Sequence, residues 1–117
     1  GTDYLDKLAK DAGDDTELWI DLAHGYRRVG DVRGNPYESN LGDTKAAFEH
    51  YAKSIAAGRR ALELSPAAAE AKEALAHGLE ARAGMMTFQG KPEDGLADID
   101  ESIRLREGGV GPEARLR

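Results

Sequence analysis

Apolar residues recur along the chain every three or four positions and nowhere alternate with polar ones, so the pattern predicts helices and no strand. Tyr4, Leu5, Leu8, Ala9 and Ala12 share one stripe of an opening helix over about residues 2–12, which Gly13 closes. Asp14 then stands as N-cap of a second helix, with Glu17 in capping-box spacing behind it. The apolar face of that helix reads Leu18, Trp19, Leu22, Ala23, Tyr26 and Val29, and the pattern fades between Gly30 and Gly34, before Asn35-Pro36. A third helix begins near Asp43 and carries Ala47, Phe48, Tyr51, Ile55, Gly58 and Leu62 on one face. Ser65-Pro66 ends it, and the same serine caps a fourth helix with the stripe Ala71, Leu75, Ala76, Leu79, Ala83 and Met86. Gly90 closes the fourth helix. Pro92, with Glu93 and Asp94 at the positive end of the dipole, opens a fifth whose apolar stripe is Leu96, Ile99 and Ile103. After Glu107, the run GGVGP is too poor in apolar residues to continue, which predicts a frayed tail over residues 108–117.

The halves of the chain resemble each other. An offset of 53 places Leu22, Ala23, His24, Gly25 and Tyr26 on Leu75, Ala76, His77, Gly78 and Leu79. The helices that follow align at an offset of 48, with Ala47, Phe48, Tyr51, Ser54 and Ile55 on Gly95, Leu96, Ile99, Ser102 and Ile103. The change of offset puts about five extra residues in the first copy, within NPYESN. The unit is therefore a helix pair used twice: a leading helix over 1–14, a first pair over 15–66 with an inserted loop at 34–42, a second pair over 67–107, and the tail. Short connections between amphipathic helices predict an all-α antiparallel stack of about five helices, in which each pair covers its neighbour's apolar face.

Composition narrows the function. Sixteen Lys and Arg against twenty-two Asp and Glu give a net charge of −6, with the two signs interleaved, so nucleic acid is not the expected partner. No apolar run is long enough for membrane insertion. The absence of cysteine rules out a disulfide framework and a thiolate nucleophile. The expected setting is soluble, cytoplasmic in preference to periplasmic, with no visible signal peptide, and Gly1 in place of Met suggests a segment of something longer.

The series Trp19, Leu22, Ala23 and Tyr26, then Ala47 and Tyr51, then Pro66, resembles a tetratricopeptide repeat. Small residues at Ala23 and Ala47 let two helices approach while larger ones fill the gap beside them. The unit departs from the usual length of about 34 residues, because GNPYESNLGD interrupts the turn between helices. The second unit lacks the tryptophan, and Gly95 stands where the alanine belongs. The stretch VGDVRGNPYESNLGDTKAAFEHYAKSI is also similar to the elongated tetratricopeptide regions that follow the catalytic domain of many bacterial serine/threonine protein kinases. None of the kinase's own motifs occurs, so the resemblance implies an accessory interaction region and not a catalyst.

A stack of helix pairs lines its concave side with the first helix of each pair. The residues turning away from the buried stripes there are Glu17, Ile20, Asp21, His24, Arg27 and Arg28 in the first pair, and Glu70, Glu73, Ala74, His77, Glu80 and Ala81 in the second. They form a groove for a protein or peptide partner, basic beside Arg27 and Arg28 and acidic beside Glu73 and Glu80. The carboxylate clamp of some tetratricopeptide proteins is absent, since Ile20, His24, Glu73 and His77 stand at its positions. His24 and His77 admit a metal, small-molecule or pH-sensing reading, with Glu17, Asp21, Glu73 or Glu80 as further metal ligands, against the plainer reading of polar groove residues. Tyr37 in the inserted loop either meets a partner or folds back over the Trp19 helix. Ser54 and Ser102 repeat because a small residue is wanted between packed helices, and neither has a base at helical spacing, so no enzyme and no cofactor is expected. Apolar surface left at the ends of so short a stack predicts possible homodimerisation.

Overall fold

The computed structural model describes residues 3–34 and 43–107, so the readings of Tyr37 and of the tail fall outside the described residues. The described chain forms helices α1 (Asp3–Asp11), α2 (Thr16–Gly34), α3 (Thr44–Leu64), α4 (Ala69–Phe88) and α5 (Leu96–Glu107), the last entered through a 3₁₀ turn at Pro92–Gly95. The fold is all-α, as the periodicity predicts. Among the described residues no helix is long and apolar enough to cross a membrane.

Pairing between helices fixes their directions. Ser54 donates to the Ala23 carbonyl, Tyr51 donates to Asp31, and Gly34 lies against Ala47, so rising numbers on α2 meet falling numbers on α3. Gly58 against Leu75 and Ile55 against Gly78 give the same antiparallel sense to α3 and α4. Asp98 on Arg82 and Arg106 on Glu73 give it to α4 and α5. His24 beside His77 makes α2 and α4 parallel neighbours. The thickness of 18 Å is that of two helix layers, since one helix with side chains is about 10 Å across.

The core follows the repeat. Leu22, Ala23 and Tyr26 are buried on α2, and their counterparts Leu75, Ala76 and Leu79 on α4. Ser54 and Ser102 are both buried, as small residues between packed helices. Full burial of a leucine contributes about 1.5–3 kcal/mol, so these few positions account for much of the drive to stack. α4 packs against α2, α3 and α5, and keeps an exposed edge at Glu70 and Glu73.

Several local expectations are corrected. The N-cap of α2 is Asp15 and not Asp14: its carboxylate accepts from the Leu18 N–H at 3.0 Å, while Asp14 pairs with Arg60. Ser65 ends α3 but does not cap α4, which starts at Ala69 without a side-chain cap. The residue before a proline favours extended backbone, and the Ser65 hydroxyl is engaged with that of Thr16 at 3.0 Å. Met85 is buried in place of Met86, packing beside Ala47 and Tyr51. Tyr4 is 69% exposed, since only Leu5, Leu8 and Ala9 of α1 reach the core. The largest correction concerns α5, whose expected inner stripe faces outward: Leu96, Ile99 and Ile103 are 58%, 37% and 47% exposed. The face that docks carries Asp98, Glu101, Ser102, Leu105 and Arg106, because α4 and α3 present Arg82, Glu80, Glu73 and Arg59 to it.

Gly13 and Gly90 take φ values of +53° and +81°, left-handed turns that favour glycine, and each sits just past a helix end as the sequence predicts.

Candidate functional site: the groove across α2 and α4

Parallel packing of the two first helices brings the doubled histidines together. The rings of His24 and His77 lie 6.1 Å apart, at 78° to each other, midway along the shared face. Towards the N-terminal ends of both helices a cavity of about 330 Å³ opens between them, lined by Glu17, Ile20, Asp21, His24 and Glu70. None of those three carboxylates is ion-paired with a described residue. Two predicted groove residues are less open than expected: Ile20 is 9% exposed and Ala74 is buried, because the sides of α2 and α4 that face each other seal together. Ile20 keeps one edge on the cavity.

The edge of the groove beside α5 is already occupied by charge pairing. Arg106 of α5 reaches over α4, donating from Nη1 to Glu73 at 2.8 Å and from Nε and Nη2 to Glu80 at 2.8 and 2.9 Å. Glu73 also receives His77 Nε2 at 2.8 Å, and Ser102 donates to Glu80 at 3.0 Å. The arginine holds both carboxyls below the usual range. Arg27 is turned inward and donates to Asp31 at 3.2 Å, in a group completed by Tyr51, whereas Arg28 is exposed. The free negative charge is therefore at Glu17, Asp21 and Glu70, not at the wall expected beside Glu73 and Glu80.

Burial first, then the positive charge of Arg27 and the proximity of His77 and Arg28, lower the pKa of His24 below its ordinary 6.5 despite the opposing Asp21, which favours the neutral ring. Among the described residues no group of three or more His, Asp or Glu is placed to hold a metal ion. The histidines thus meet without converging ligands.

No family model, curated protein or solved structure matches the chain. The groove residues therefore stand on geometry alone. The repeat foreshadowed the meeting of His24 and His77, but not the part played by Arg106. At the offset of 48 it aligns with Gly58, which has no side chain to compare.

Proposed function

We propose that the chain binds an extended protein or peptide segment across the α2/α4 groove, as its resemblance to tetratricopeptide arrays implies. The observation that supports this reading is the side-by-side placement of equivalent helices over a cavity edged by three carboxylates without an ion-pair partner among the described residues. The fitting partner carries a lysine or arginine for the pocket of Glu17, Asp21 and Glu70, with an acidic residue towards Arg28. Selection from a displayed random-peptide library tests it. Enriched sequences share a basic residue and lose binding to the triple variant Glu17→Gln, Asp21→Asn, Glu70→Gln. Equal retention by that variant removes the groove from consideration.

A second reading is favoured by the outward stripe Leu96, Ile99 and Ile103. In it the chain is a dimerising or regulatory arm of a larger protein, the role implied by the likeness to regions appended to bacterial kinases. Light scattering over a concentration series then shows mass rising towards a dimer, and a constant monomer mass at high concentration rejects it.

A further inference from the structure

Trp19 and Tyr26 project from α2 about a third of a turn away from Ile20 and His24, on a different face from the groove. There, between α1 and α3, they floor a second cavity of about 480 Å³, within the range of about 300–1,000 Å³ typical of small-molecule sites. Ala9 of α1 and Ala56 and Ala57 of α3 give it small apolar walls that leave a slot beside the indole.

The polar groups at this slot are unequally engaged. Asp6 accepts the Tyr26 hydroxyl and both contacts of Lys53 Nζ, at 3.1 and 3.2 Å, which satisfies that corner. The Trp19 indole N–H donates to the Gly13 carbonyl at 2.9 Å, so the ring offers the pocket only its apolar surface. Arg60 differs. Its guanidinium has two long contacts, 3.3 Å to Asp14 and 3.4 Å to Glu63, on carboxylates whose side chains are 88% and 67% exposed. Glu63 also lines the cavity, but such surface pairs hold weakly, and a carboxylate entering the cavity can displace it and take the planar fork with two parallel N–H···O bonds.

We infer that this cavity is a binding site for an aromatic carboxylate, its ring in the slot beside Trp19 and its carboxylate on Arg60. The site is distinct from the groove and does not depend on the function proposed there.

Trp19 is the single tryptophan of the chain, so its emission reports occupancy directly. The full chain is titrated with N-acetyl-phenylalanine, with the corresponding amide and with acetate, and ligand-detected saturation-transfer NMR serves as a second readout should emission stay silent. The free acid saturates, the amide binds about tenfold or more weakly, and acetate gives no saturable signal. Arg60→Gln lowers affinity for the acid to that for the amide and leaves the amide unchanged, which separates lost recognition from a disturbed fold. A short peptide ending in phenylalanine with a free carboxylate distinguishes the sources: binding equal to that of the single-residue acid assigns a chain terminus, and binding of the single-residue acid alone assigns a free metabolite-sized acid. Equal affinity for acid and amide, an unaffected Arg60→Gln variant, or no binding of the acid in either readout overturns the inference.

Discussion

At the scale of single residues, the environment decides the sign of chemically identical changes. A Cβ at Gly30 meets the Tyr51 ring at 2.6 Å, while one at Gly84, also within a helix, meets nothing within 4 Å. Glycine to alanine favours a helix by about 0.8–1 kcal/mol where nothing else changes. Gly84→Ala is therefore expected to stabilise by roughly that amount, and Gly30→Ala to destabilise by about 1–3 kcal/mol through overpacking. Urea midpoints of the two variants, moving in opposite directions, check this. His24 supplies a second case. Its folded pKa lies below the unfolded value, so the unfolded chain takes the proton first and stability falls as pH drops through 6.5. His24→Gln flattens this part of the profile, read as melting temperatures at pH 7.5 and 5.5. Gly30 was read only as the place where the helical pattern fades, while the small residues Ala23, Ala47 and Ser54 were legible in the sequence as close contacts. The burial that favours the neutral ring of His24 was not, since it depends on how closely a second helix approaches.

At the scale of elements, apolar periodicity located all five helices, and yet it turned α5 the wrong way. A stripe predicts inward packing only where something lies on both sides of the helix. α5 ends the described stack, so charge matching with its neighbours set its rotation: Arg82 with Asp98, Arg59 with Glu101, and Arg106 with Glu73 and Glu80. Partners on different helices cannot be read from spacing along one of them, which is why Arg106 escaped notice. Its pairing has a pH signature. Glu73 and Glu80 titrate below their ordinary 4.5 mainly because Arg106 donates to them. Their contribution is present above pH 4.5 and is lost as pH falls through the lowered folded values. Arg106→Gln is thus less stable than the parent at pH 7, and the difference narrows towards pH 3, as paired denaturation curves at the two pH values show. The same variant uncovers two carboxylates along the groove, so a basic peptide selected on the parent binds it more tightly.

At the scale of the whole molecule, the two repeats are equivalent in sequence and unequal in surroundings. Ile55 is buried against Leu75 and Leu79 of the next first helix, whereas its counterpart Ile103 is 47% exposed where no third unit follows among the described residues. If stacking, and not intrinsic helix preference, is what makes this face matter, the same truncation must cost very different amounts in the two copies. Ile55→Ala removes buried methyl groups and leaves a cavity, an expected loss of about 2–5 kcal/mol. Ile103→Ala changes an exposed site and stays within about 0.5 kcal/mol for the isolated chain. The same measurement at increasing protein concentration adds the mass-action dimension: if copies associate through the stripe of Leu96, Ile99 and Ile103, the parent gains stability with concentration and Ile103→Ala gains less. Equal costs at the two positions would mean that each helix pair stands alone, and a groove built from two neighbouring pairs would then have no rigid frame on which to present His24 beside His77.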